Sequence, residues 1–367
     1  MAKKQQNDPN KLLITAIKKT VNTNSVLPIL EDVYFNGRQA IVTDLETSVI
    51  IPHEKPGLDV CVPAKKVVQI MEMMPDAEIT PLPPKEEPMV PQYGATFTHG
   101  KRVVKVIGDK SENFPVIYMN DDGQYPKIGS LKESDMKLIE TAICFVSKDS
   151  LRPSMTGINF EKEIQATDAH RLFFHDLSDP VTVPFIMPAK TAKILLALGG
   201  EWEITNHEEG KTRYVCLTRA DGVKVVTRPI DSRFPDVNVV IPKEKGLVKL
   251  TANPSALLTE LKNAGSFANK QTNLIVLGMN GVFSVSSQDI DLGEEYRSEH
   301  PNSNTGDFTF GFHKTVEKSL FIAFNQKLLS EIVSKLGDQP VEMQFWSPNK
   351  CTIINDHFLL MPLLQLQ

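Results

Sequence analysis

Long apolar runs are missing from this chain. Nowhere do roughly 18 consecutive apolar residues occur, and the N-terminal MAKKQQNDPN carries charge without a following apolar segment of signal-peptide type. No membrane partner is expected, and the reading is a soluble cytoplasmic protein. Cysteine is scarce too. Cys61, Cys144, Cys216 and Cys351 are scattered without a CxxC pair, which argues against a disulfide framework or a zinc knuckle and for reduced, buried thiols. The GKT at Gly210 lacks the upstream glycine of a phosphate loop, because Thr205 occupies that place, and it reads as a hairpin turn. No serine or cysteine sits in a recognisable nucleophile elbow. Catalytic residues, metals and cofactors are therefore not expected. A net charge of −5 excludes a wholly basic nucleic-acid binder but leaves open how the charge is distributed.

What the chain does contain is a threefold internal repeat. Each copy opens with a short helix: NKLLITAIKKTVN from Asn10, SDMKLIETAICFVS from Ser134 and NPSALLTELKNAGS from Asn253. In the first, Leu12, Leu13, Ala16, Ile17 and Thr20 fall on one face at helical spacing. Strand pairs follow, and Thr43-Asp44 and Thr167-Asp168 lie 124 positions apart. A second helix comes next, introduced by VCVPAKK, FIMPAKT and LFIAFNQ, with Pro63 and Pro188 separated by 125 positions. A strand closes each copy, and NFPVIYM and RFPDVNVVIP place Phe114 and Phe234 120 positions apart. Three homologous α+β domains are predicted, each with two helices packed on antiparallel sheets: 1–124, 125–245 and 246–367.

The predicted helices, 9–22, 63–74, 131–148, 189–198, 254–270 and 325–336, hold 14 lysines against 6 acidic residues, a net of +8. Everything outside them therefore sums to −13. Lysine suits any solvated helix face. Six basic helices on an acidic protein point further, to a shared polyanionic partner.

The stretch IQATDAHRLFFHDL gathers Asp168, His170 and Arg171 on a predicted strand. An acid/base site is one reading. The repeat opposes it: the first copy has Thr43-Asp44-Leu45-Glu46 at the same place, without histidine, so the aspartate reads as a turn acceptor. His170 and His175, five apart, would point to opposite faces of a strand and make a poor metal pair.

Taken in order, LPIL at Leu27, TDLETSV at Thr43, TDAHRL at Thr167, RFPD at Arg233 and FLLMPLL at Phe358 resemble the bacterial sliding clamp, the beta subunit of DNA polymerase III, over essentially the whole length. That resemblance implies a ring of two three-domain subunits, a head-to-tail homodimer with helices lining a hole for duplex DNA. It implies nonspecific attraction of phosphates by Lys18, Lys19, Lys65, Lys66, Lys137, Lys148, Arg152, Lys190, Lys193, Lys262, Lys327 and Lys335. It places Phe267 at the subunit interface, against the edge strand around RVVKVIG.

The resemblance further implies a pocket for a linear peptide motif of the replicative polymerase, clamp loader and other partners. Its lining here would be Met155, Thr167, His170, Arg171, Leu172, Pro235, Val240, Leu360, Met361, Pro362 and Leu363, with Thr167 and Leu172 in one wall, the C-terminal LLMPLL from Leu359 as the opposing wall, and His170 and Arg171 at the rim. Ala169 stands where the family usually has glycine, Leu364 and Asn24 where it has arginine, and Pro153 and Ser154 where it has aromatics. Such departures suit a divergent, phage or mobile-element version. The alternative reading is a non-catalytic interaction scaffold of clamp fold that no longer loads on DNA.

Overall fold

The computed structural model describes residues 8–83, 92–115, 125–303, 306–313 and 319–364. The predicted boundary at 124/125 abuts residues 116–124, which lie outside the described residues. Six α-helices form: α1 Pro9–Thr20, α2 Ala64–Met73, α3 Glu133–Ala142, α4 Ala189–Leu198, α5 Pro254–Ser266 and α6 Gln326–Lys335. Their starts follow from local chemistry. Asp8 accepts from the Asn10 N–H ahead of Pro9, Asn253 from Ser255 and Ala256 ahead of Pro254, and Asn325 from Lys327 and Leu328. α1 buries Leu12, Leu13, Ala16, Ile17 and Thr20, the face that its spacing predicts.

α3 is shorter than predicted. It stops at Ala142 and runs on only as a 3-10 turn, Ile143–Phe145, so Lys148 sits in a loop and not on a helix. The carbonyl of Cys144, which a continued helix would bond to residue 148, instead accepts from the Arg171 Nη2 at 2.8 Å.

The element order of helix, strands, second helix and closing strand recurs three times along the chain. Its contacts divide into two compact units: Met1–Ile143 with Thr156–Ile164 and Asp176–Ser232, and Cys144–Met155 with Gln165–His175 and Arg233–Gln367. In the first unit, strands of the first two repeats share one eight-stranded sheet. The seam is Lys224–Thr227 against Thr47–Pro52, with Val225 opposite Val49. α1 and α4 pack together beside it. The hydroxyls of Thr47, Thr191 and Thr227 satisfy one another there, Thr191 lying 2.8 Å from Thr47 and 2.9 Å from Thr227. A separate three-stranded sheet ends on the edge strand Arg102–Ile107.

In the second unit, α5 packs on α6. An antiparallel sheet orders Glu294–Pro301, Val282–Asp289, Leu274–Asn280 and Leu320–Asn325. A further row of strands runs from Arg171–Asp176 through Phe358–Leu360, Thr352–Ile354 and Val341–Phe345 to Val248–Ala252 and Phe308–Phe312. No helix among the described residues is long and apolar enough to cross a membrane.

Candidate functional site

The two TD motifs fold into the same turn. The Thr43 and Thr167 hydroxyls each accept the N–H two residues on, at Leu45 and Ala169, both at 3.1 Å. One oxygen of Asp44 accepts from Glu46 and Thr47, and one oxygen of Asp168 from His170 and Arg171. The second oxygen takes a cation in both, Lys190 for Asp44 and Arg171 for Asp168. Leu45 and Ala169 adopt φ of 76° and 75°, left-handed values that glycine would hold without strain. Asp168 is thus the template of a turn. Its contact with His170 is to the backbone N–H, and the two side chains form no acid/base pair.

Arg171 departs from the expected rim position. It is 6% exposed and spends every edge of its guanidinium inside the protein. Nε donates to Asp168 at 3.0 Å, Nη1 to Glu331 of α6 at 2.8 Å and Nη2 to the Cys144 carbonyl, while the plane lies 4.7 Å from the Phe145 ring. A planar fork that meets three acceptors at once cannot also face a ligand. Thr167 is likewise buried, its hydroxyl donating to the Arg171 carbonyl at 2.7 Å.

Strand pairing decides which residues share a face. Arg171 lies opposite Leu360, Leu172 opposite Leu359 and Phe173 opposite Phe358. Side chains alternate along a strand, so Leu360 shares the side of Arg171, Phe173 and Phe358, where Phe145 packs against the last two at 5.8 and 5.6 Å. Leu172 is on the other side with Leu359, in a cluster with Val237, Cys351 and Ile353 that Phe174, Phe234, Ile241 and Trp346 flank. Leu360, fully buried, therefore does not oppose Leu172. Leu359 does: it lies within the expected LLMPLL wall, although it is not among the named lining residues.

Around this floor the remaining expected residues supply surface. Val240 is 47% exposed and its carbonyl accepts from the Cys351 thiol at 3.2 Å, tying it to the Leu172 cluster. Met361 is 39% exposed, and its N–H donates to the His170 carbonyl at 2.9 Å. His170 itself is exposed. Half-buried Pro362 and Leu363 follow, Leu363 bonding the Ala323 carbonyl at 2.8 Å. Met155, at the end of a 3-10 turn, and Pro235 are half-buried. Val239 and Leu364, 79% and 74% exposed, widen the apolar surface.

Of the expected DNA-facing cations in the first unit, Lys19, Lys65, Lys66, Lys137 and Lys193 are exposed. Lys18 pairs with Glu72 at 2.6 Å. Lys190 is committed more deeply, donating to Asp44 at 2.5 Å, the Thr20 carbonyl at 2.9 Å and Asn22 at 3.1 Å. It pins the end of α1 to the TD turn, and its charge is spent internally. In the second unit Lys148, Lys262, Lys327 and Lys335 are exposed, and Arg152 lies 3.7 Å from Asp149. Asn24 is exposed at φ 68°. Phe267 caps the C-terminus of α5, 39% exposed and stacked on Tyr296 at 5.9 Å, so it is not interior core. The described residues hold no cluster of three or more His, Cys, Asp or Glu suited to a metal ion.

No protein-family model matches the chain. No curated protein matches it either. Solved structures do. The chain is similar to the DNA polymerase III beta subunit of Thermotoga maritima, with a TM-score of 0.76, 20% identity and 98% of each chain covered. It is similar to the DNA polymerase sliding clamps of Bacillus subtilis and Pseudomonas aeruginosa, each at TM-score 0.77 and 19% identity, covering 97% of this chain and 98% of the other. The fold is that of a sliding clamp. The likeness of fold extends across the whole length, at about 20% sequence identity.

Proposed function

We propose that the protein is a replication sliding clamp, a non-catalytic processivity factor that encircles duplex DNA as a head-to-tail homodimer. The observation that carries this reading is the end-to-end match of a three-repeat fold to DNA polymerase III beta subunits, 97–98% of both chains. Its three clamp domains would be 1–124, 125–245 and 246–367. Exposed lysines on every helix support a loose, sequence-independent hold on phosphates, and few tight contacts permit sliding.

Self-association is supported by two edges of opposite charge. The edge strand Arg102–Ile107 exposes Val103 and Ile107 beside Arg102 and Lys105. The edge strand Glu294–Pro301, whose own Tyr296 stacks on Phe267, presents Glu294, Glu295 and Glu299. Pairing of such edges between copies would close a ring.

Partners would dock at the surface over Leu172 and Leu359, edged by Val240, Met361 and His170. A linear motif with leucine or phenylalanine anchors would gain roughly 1.5–3 kcal/mol per buried side chain before ordering costs, which makes micromolar affinity for a short peptide reasonable. The replicative polymerase and clamp loader are the proposed carriers of that motif, in the cytoplasm at the nucleoid. Primer extension on a primed circle by the cognate polymerase and loader tests this: products should lengthen when the protein is added.

A second reading, a scaffold of clamp fold that no longer loads on DNA, is favoured by the internal use of Lys190 and by the surface pairing of Lys18 with Glu72. Unchanged product lengths together with retained peptide capture would select it.

A further inference from the structure

Behind Phe267 lies a chain of polar contacts. Phe267 rests on Tyr296 with the rings 13° from parallel. The Tyr296 hydroxyl donates to Glu260 Oε2 of α5 at 2.8 Å, and the Ser298 hydroxyl donates to the same oxygen at 2.5 Å. The other carboxylate oxygen, Oε1, faces His300 Nε2 at 3.5 Å. Strand alternation places Tyr296, Ser298 and His300 on one face, toward α5, with Glu295, Arg297 and Glu299 on the other, where Arg297 and Glu299 pair at 2.6 Å.

The imidazole is otherwise set among rings. Phe308 of the strand Phe308–Phe312 lies 4.7 Å away and Phe283 of Val282–Asp289 lies 6.3 Å away. His300 Nε2 is buried without a hydrogen bond among the described residues. From α5 the charged group that faces it is Glu260, because Lys262 is exposed to solvent. On Val282–Asp289 the acidic residue, Asp289, sits at the far end of the strand beside Asn269, and Phe308–Phe312 carries no charged residue. Glu260 is held below the usual carboxylate range: burial acts to raise it, and hydrogen bonds from Ser298 and Tyr296, then the charge of His300, outweigh burial.

We infer that Glu260 and His300 form a pH-responsive support that positions Phe267 for contact with a second copy of this chain. The inference rests on the head-to-tail assembly proposed above. Glu260 is ionised across the neutral range, so a proton on His300 turns a bare 3.5 Å approach into an ion pair that fixes Glu260, and through it the Tyr296 ring under Phe267. Loss of that proton as pH rises removes the attraction and loosens the support. Self-association should therefore be tighter at acidic pH and weaker at alkaline pH.

The experiment is sedimentation velocity or mass photometry at pH 5.5, 6.5, 7.5 and 8.5. Wild-type protein, His300→Gln and Tyr296→Phe are compared, each checked for folding by circular dichroism. For wild type the dimer Kd should rise about tenfold across the series, within the usual range of roughly 5–150-fold for coupling between sites. His300→Gln should show a flat profile, and Tyr296→Phe, which keeps the ring and cuts only the hydroxyl link, should show a shallower one. If His300→Gln misfolds, Tyr296→Phe carries the test. Equal pH slopes in wild type and the folded variants would overturn the inference and leave the dimer standing. A folded wild type that is monomeric at every pH would overturn the assembly reading and this inference with it.

Discussion

Leu172 and Leu359 stand directly opposite each other across an antiparallel strand pair, each 2% exposed, and form the floor on which the exposed Val240 is tethered through Cys351. Leu360, the next residue, belongs to the opposite face. This arrangement separates contact from support. Val240→Glu or Met361→Glu should weaken capture of a leucine- or phenylalanine-anchored peptide at least tenfold by calorimetry, with the denaturation midpoint nearly unchanged. Leu360→Ala should lower stability by about 2–5 kcal/mol and leave peptide affinity intact in the molecules that remain folded.

Arg171 joins three acceptors and an aromatic face. Its replacement by alanine leaves Asp168 short of a cation and the Cys144 carbonyl short of a donor, so urea denaturation should show a loss of about 3 kcal/mol or more. Arg171→Lys should recover little, because a single ammonium cannot meet three acceptors in three directions.

The lysines divide into two groups with different readouts. Lys190→Ala removes the cation from Asp44, whose side chain is 8% exposed, and should cost about 1–3 kcal/mol of stability. Lys19, Lys65 and Lys66 changed together to glutamate should leave stability within about 0.5 kcal/mol. The same triple change should lower the slope of DNA affinity against salt, by about 0.9 for each phosphate that is no longer neutralised.

How much of this is legible in sequence depends on the range of the interaction. Helix starts are local: Asp8 with Pro9, and Asn253 with Pro254, announce α1 and α5 by residue type alone. The TD turn is local too, and its repetition at Thr43 and Thr167 marks Asp168 as a turn acceptor. Register is not local. Whether Leu359 or Leu360 joins Leu172 depends on which residue pairs with which across 187 positions of sequence, and a one-residue slip exchanges the faces. The fates of Lys190 and Arg171 are hidden for the same reason, since Asp44 and Glu331 are distant in the chain. Where α3 ends, Arg171 satisfies the Cys144 carbonyl, a contact that no helix propensity encodes.

Stability should depend on pH through two buried groups of the first unit. Burial, then the charges of Asp109 and Glu31, raises the Asp32 carboxyl to about 7. The folded state therefore holds a proton that the unfolded chain has released, and this group's contribution declines as pH rises from about 4 to about 7. Burial, then the charge of Lys55, lowers His53 to about 4, so its contribution is lost as pH falls from about 6.5 to about 4. Asp32→Asn should flatten the alkaline decline, raising stability at pH 8 by roughly 1–3 kcal/mol in denaturant melts, with little change near pH 4.

Encirclement of DNA is the central claim, and topology tests it most directly. The protein, loaded by its clamp loader onto a nicked circular plasmid and passed through a sizing column, should co-elute with the circle at salt concentrations that abolish open-site binding. Cutting the plasmid once should release it within minutes. Equal retention on circular and linear DNA, or none on either while the folded dimer is present, would contradict the account.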